Sequence, residues 1–172
     1  MDAVAALERD FDEIVEAVYR AGSGLEPWLG PIARVSKALD AWTVQMLGVR
    51  KATGALLFTF ESGSAPAEAP LEYLRTWHRR DPRLLKTLPM KAGEWFSCEE
   101  HFDTAFRESD LFYREYLFPM GGNHVYGAKL IDDDESTVIL GHIGKVSRPP
   151  LSAPEKALFR RLADHFAKAL EL

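Results

Sequence analysis

Residues 124–143, HVYGAKLIDDDESTVILGHI, hold two apolar runs of strand length on either side of a short acidic interruption. Runs rich in β-branched, aromatic and aliphatic residues and bounded by turn formers read as strands. His124–Ile131 and Thr137–Ile143 are therefore expected to pair across a turn at Asp132-Asp133-Asp134-Glu135. Upstream, Trp42–Val49 and Ala55–Phe60 repeat the pattern around Ala52-Thr53-Gly54. In the second of these, Leu56, Phe58 and Phe60 alternate with Ala55, Leu57 and Thr59, so both faces carry apolar residues. A sheet built from such strands has to be covered on both sides.

Helical periodicity supplies the covers. Near the N-terminus Leu7, Phe11, Ile14, Val15 and Val18 fall on one face, with Asp2 placed to cap the helix and Gly22-Ser23-Gly24 to end it. A second helix is expected after Trp28-Leu29-Gly30-Pro31, turning Ile32, Val35 and Leu39 inward. At the other end, Pro149-Pro150 closes the sheet. Ser152 and Glu155 have capping-box spacing, and Leu158, Leu162, Phe166 and Leu170 recur every fourth residue. Phe159, Ala163 and Ala167 widen that stripe, so one row is expected on the sheet and the other against a second subunit, giving a homodimer.

Between the hairpins lies a helical excursion. Pro66–Arg80 reads as a helix with Leu71, Leu74 and Trp77 as its apolar stripe. Asp81-Pro82 restarts a short helix, with Asp81 at the cap and Pro82 at the first helical position. Gly93-Glu94-Trp95-Phe96 reads as a short strand. Ser97 with Glu100, and then Ser109, are placed as caps for further helices through Leu117, and Pro119-Met120-Gly121-Gly122 ends the run. The expected fold class is α+β: a central antiparallel sheet of about five strands, terminal helices on one face, the excursion over the other. One domain, 1–172, is expected.

Composition narrows the function. The net charge is −5, and the acidic residues are dispersed. Gripping nucleic acid needs a concentrated basic patch, and Arg75-Thr76-Trp77-His78-Arg79-Arg80 is too short to be one, so no nucleic-acid contact is expected through this chain. The single cysteine, Cys98, excludes an intrachain disulfide and a thiolate zinc cage. No signal peptide is recognisable and no apolar run is long enough to span a bilayer, so a cytoplasmic location without membrane contact is expected.

Catalysis is weakly signalled, and the expectation is no enzyme, no cofactor and no metal. Cys98 and His101 stand three positions apart without a nucleophile elbow. His124 and His142 lie on neighbouring strands, and Asp132-Asp133-Asp134 lacks the alternating spacing of a calcium loop. The distinctive feature is aromatic density between Tyr73 and Phe118. Small-molecule pockets are mostly apolar and aromatic with a few placed polar groups. Phe58, Tyr73, Trp77, Asp81, Trp95, Tyr116 and Tyr126 are the expected ligand-binding residues, although many of these rings would serve equally as core.

Asp81-Pro82, Leu88-Pro89, Gly93-Glu94, the run from Phe106 to Gly121, Gly127–Leu130 and Leu151–Glu155 leading into Leu162–Phe166 occur in a characteristic order. This series resembles the N-terminal sensory region of LuxR-type helix-turn-helix transcription regulators, over roughly residues 28–171. The resemblance implies a GAF/PAS-like fold, a small-molecule ligand held beside the sheet, and a DNA-binding domain downstream of these residues. In related autoinducer-binding domains an aspartate accepts the signal's amide N–H. Tyr73, Trp77, Asp81 and Trp95 echo that series, implying Asp81 as acceptor and Trp77 and Trp95 as walls of the head group. The upstream Tyr-Pro-x-x-Trp element is missing, so an acyl-homoserine lactone is not the favoured ligand. Two other readings stay open: a pocketless dimerisation or protein-interaction module, and a small enzyme using the histidines or Cys98.

Overall fold

The computed structural model describes residues 2–172. Its centre is one antiparallel sheet in the order β2-β1-β5-β4-β3. The strands are β1 (Thr43–Arg50), β2 (Leu56–Ser62), β3 (Trp95–Ser97), β4 (Gly122–Asp132) and β5 (Ser136–Lys145). The two hairpins expected from the sequence supply β1–β2 and β4–β5, and β1 joins them by pairing with β5, Gln45 opposite Gly141. Between β4 and β5, Asp133 accepts from the backbone amides of Glu135 and Ser136 at 2.9 and 2.8 Å, so the acidic run is a closed turn.

Because strand side chains alternate, register decides which residues meet which cover. One face carries Val44, Met46, Tyr126, Ala128, Leu130, Val138 and Leu140, buried in a common core beneath α1 (Ala3–Gly22), α2 (Leu29–Leu39) and α7 (Ala153–Ala169). Each large apolar side chain fully buried there contributes about 1.5–3 kcal/mol. Asp2 caps α1 by accepting from Val4 N at 3.1 Å, and Gly24, at φ 73°, lets the chain leave after the last turn. The capping box of α7 is complete: Glu155 accepts from Ser152 N at 2.6 Å, and Ser152 Oγ from Glu155 N at 3.3 Å.

The wide stripe of α7 is used within the domain. Phe159 and Ala163 are buried with Leu158, Leu162 and Phe166, between the sheet and α1. The two helices approach so closely that a Cβ on Gly22 would stand 2.4 Å from the Ala169 carbonyl oxygen. No apolar row of α7 is therefore left over for a second subunit, which removes the reason for expecting one.

The excursion covers the opposite face. It runs through α3 (Ala69–Glu72), a π-helical turn (Tyr73–Trp77), a 3₁₀ turn (His78–Arg80), α4 (Pro82–Thr87), β3, α5 (Cys98–His101), α6 (Thr104–Ser109) and a second π-helical turn (Phe112–Leu117). The expected stripe is corrected in part here: Trp77 is buried as expected, but Leu71 and Leu74 are half exposed, and Ala69 is buried instead, with Tyr73 packed beside it. Two expected caps also shift. Ser97 makes no capping bond, and Ser109 closes α6 rather than opening the next helix, its Oγ donating to Phe106 O at 3.1 Å. Asp103 caps α6 by accepting from Phe106 N at 2.7 Å, and Asp110 accepts from Phe112 N at 2.9 Å. Asp110, one position on, thus takes the capping role expected of Ser109.

Candidate functional site

Where the excursion meets the sheet it does not fill the space. A cavity of about 330 Å³ lies between β1, the end of β2, the 63–70 segment and the π-helical turns. Its inner wall includes Trp42, Leu117 and Ile143, all buried, and the exposed lining residues Gly63 and Ala67 mark its mouth. A smaller void of about 40 Å³ adjoins it, floored by Gly127 and Gly141, which face each other across β4 and β5. A Cβ built on Gly141 would meet nothing within 4 Å, so the missing side chain is part of what keeps this space open. Gln45, Tyr73 and Arg83 line both.

The local sequence explains how the excursion holds its shape around this space. Asp81, set in extended backbone just before Pro82, accepts from Arg83 N at 2.9 Å as the cap of α4. Its carboxylate also grips the Arg83 side chain, Nε on Oδ1 at 2.9 Å and Nη2 on Oδ2 at 2.8 Å, and accepts from the Tyr73 hydroxyl at 2.8 Å. Both residues are buried, and the guanidinium lies 4.6 Å from the centre of the Phe112 ring. Burial works against the Arg83 charge, but the Asp81 carboxylate more than offsets it and the pKa is raised. Burial, and then the Asp81 charge, push the Tyr73 phenol well above its usual range, keeping its proton in place as a donor.

Other polar groups are likewise committed. The Tyr116 hydroxyl donates to Ala69 O at 2.7 Å, Trp42 Nε1 to Met120 O at 2.9 Å, and Thr43 Oγ1 to Ser62 O at 3.3 Å. Three side chains keep polar atoms without a partner, and in Arg83 this is the buried Nη1 alone. Gln45 and Glu61 stand opposite each other on β1 and β2, both line the cavity, and among the described residues neither side chain has a partner. Burial raises the Glu61 pKa.

The structure divides the sequence-predicted residues between the two faces of the sheet. Tyr73 and Tyr116 line the main cavity, and Asp81 the adjoining void. Trp77 stands behind them: it is buried, stacks on Tyr116 with centroids 5.9 Å apart, and lines neither of these two spaces. Trp95, Tyr126 and Phe58 lie on the terminal-helix face. Trp95 stacks on Tyr126 at 4.6 Å beneath the Arg160 side chain, which also bonds the Tyr126 hydroxyl. Phe58 packs on Phe60 and covers Gly48, whose absent Cβ would clash with its ring. The reason is strand parity. Phe96, Gly127 and Thr59, the neighbours of these three, face the excursion.

Gln45, Glu61 and Arg83 did not stand out in the sequence. The signal available was a polar residue inside an otherwise apolar strand, Gln45 in TVQMLGVR and Glu61 in LLFTFES. No comparable constellation forms around the catalytic candidates. Cys98 is fully buried against the Tyr113 hydroxyl at 3.2 Å, while His101 Nδ1 pairs with Ser97 O at 2.9 Å. His142 packs near Phe159 under the terminal helices, and His124 lies 3.9 Å from Glu99. Among the described residues no three histidine, cysteine or acidic side chains converge as metal ligands, and no helix is long and apolar enough to cross a membrane.

No protein-family model matches the chain, and no curated protein matches it. Solved structures do. The chain is similar to the N-acylhomoserine-lactone-dependent LuxR family transcription factor CepR2 from Burkholderia cenocepacia, with a TM-score of 0.61 and 18% identity over 95% of this chain and 94% of that one. It is similar also to the VqsR LBD domain from Pseudomonas aeruginosa, with a TM-score of 0.61 and 15% identity over 96% of this chain and 94% of that one. The chain thus has the α+β fold of LuxR-family ligand-binding domains, as the resemblance implied.

Proposed function

We propose that this chain is a small-molecule-sensing regulatory domain of the LuxR type, residues 1–172 forming one sensory unit that holds its ligand between the sheet and the excursion. The observation that carries this reading is the cavity itself. It is walled by the sheet on one side and by the excursion on the other, and two polar side chains without partners line it. A module that only packs against a protein partner has no need of such a space, and cores are otherwise filled to near crystal density. A ligand seated there would contact both layers, biasing the excursion relative to the sheet and, through β1 and β5, the terminal helices.

Mass spectrometry of the small molecules that co-purify with the chain is the direct test. Adding back the molecule found, at about a hundred times its Kd, stabilises the folded state by about 2.7 kcal/mol. For a chain of this size that raises Tm by about 5–10 °C. Absence of any co-purifying compound, together with no Tm response across a metabolite library, would remove the basis for a sensing role.

A further inference from the structure

The hydrogen-bond inventory of the cavity identifies which groups can still receive a ligand. An aspartate that accepts a ligand N–H needs a free lone pair, and Asp81 has none to spare: it already accepts four hydrogen bonds, three of them from Arg83. The hydroxyls of Tyr73 and Tyr116 have donated their protons within the protein, and so has the Trp42 indole. The charges follow the same division. Arg83 and Asp81 neutralise each other across two short bonds, whereas Glu61 has no cation beside it. The charged groups that line or adjoin the space are Glu61, Asp81 and Arg83, so its charge is set by Glu61. Opposite Glu61 stands the free amide of Gln45, and the rings of Trp42, Tyr73 and Tyr116 line the same cavity. Unpaired carboxylate, free amide and aromatic walls together are the chemistry that recognises an ammonium group.

Resting on the sensing reading above, we infer that the ligand is a small organic amine, its ammonium bonded by Glu61 and Gln45 and its apolar part reaching inward toward Tyr116, Leu117 and Ile143. Asp81 serves instead as a structural clamp on Arg83. An anionic ligand is disfavoured, because its charge would add to that of Glu61 while the Arg83 charge is already neutralised by Asp81, leaving only the guanidinium Nη1 to meet it. A neutral ligand without an N–H leaves the Glu61 carboxylate desolvated and unpaired.

Three probes of one chain length, heptylamine, 1-heptanol and heptanoate, test this by calorimetric titration and by amide chemical-shift mapping on the whole chain. The expected order is amine tightest, by about tenfold over the alcohol, with heptanoate weakest and the shifts centred on β1, β2 and residues 63–73. Glu61→Gln, nearly isosteric and close to the cavity mouth, is expected to bring the amine down to the alcohol's affinity and leave the alcohol unchanged. Binding at the cavity with heptanoate equal to the amine, or an amine affinity untouched by E61Q but lost in Asp81→Asn, overturns the inference and leaves the sensing reading in place. If none of the three shifts cavity resonances, the amine inference falls, and the sensing reading is decided by the co-purification test above.

Discussion

Asp81 takes hold of Arg83 with both carboxylate oxygens, at 2.9 and 2.8 Å, and it does so from the position that also caps α4. One side chain therefore starts a helix, neutralises a buried cation and receives the Tyr73 hydroxyl. Replacing it leaves the guanidinium charged and buried, and breaking a buried pair from one side costs about 3–5 kcal/mol. Asp81→Ala is expected to lower Tm by roughly 10 °C in calorimetric melts. The double variant Asp81→Leu with Arg83→Met, which removes both charges, should recover a large part of the loss. A single variant as stable as the parent would show that the clamp contributes nothing.

Gly127 and Gly141 face each other yet should respond oppositely to the same change. A Cβ on Gly141 enters empty space, whereas one on Gly127 would stand 2.8 Å from the Leu140 carbonyl oxygen. Gly141→Ala gains strand stiffness without a clash and should stabilise by about 0.5–1 kcal/mol. Gly127→Ala forces the backbone of β5 aside and should destabilise by about 1–3 kcal/mol. Urea titrations of the two variants read the sign directly.

His142 gives the fold a predictable acid sensitivity. Burial beneath the terminal helices, with the Arg148 charge adding to it, lowers its pKa from the ordinary 6.5 to about 4. Between those values the unfolded chain binds a proton that the folded chain does not. Stability present above pH 6.5 is therefore lost as pH falls toward 4, by about 3 kcal/mol, with no further loss from this group below that. Comparing urea unfolding of the parent and His142→Gln at pH 7 and 4.5 isolates the term. Parallel losses in both chains would assign the acid sensitivity to other groups.

Trp77 supports the cavity from behind. Its ring stacks on Tyr116 and meets Phe112 edge-on at 6.4 Å, filling space between the two π-helical turns. Trp77→Ala removes a large buried ring and should cost about 3–5 kcal/mol. Near-UV circular dichroism at temperatures where the variant is folded should show loss of the aromatic signal, because Tyr116 is no longer held.

Much of this architecture was legible in the sequence. Periodicity marked α1 and α7, the Ser152–Glu155 box is formed as its spacing implied, and the acidic turn between β4 and β5 was placed correctly. These features are set by neighbours a few residues away. The face that each strand residue occupies depends on register with distant strands, and a shift of one position exchanges the faces. That is why Trp95 and Tyr126 read as ligand walls although they pack under α7. The apolar stripe assigned to Leu71 and Leu74 failed for a related reason. It assumed α-helical spacing where the chain adopts the wider π-helical turn.

Those two π-helical turns have a consequence for how the chain tolerates changes of length. Such a turn is geometrically an α-helix carrying one residue more than its spacing needs. Tyr73 lies in one of them and Tyr116 in the other, and their rings meet at 6.1 Å beside the cavity. Deleting the surplus residue from either turn would let it relax to α geometry with the flanking segments still in phase, resetting only the rings carried by the turn itself. The two turns are thus places where the chain can lose one residue and keep its helical phase, at the cost of changing how Tyr73 and Tyr116 present their rings to the cavity.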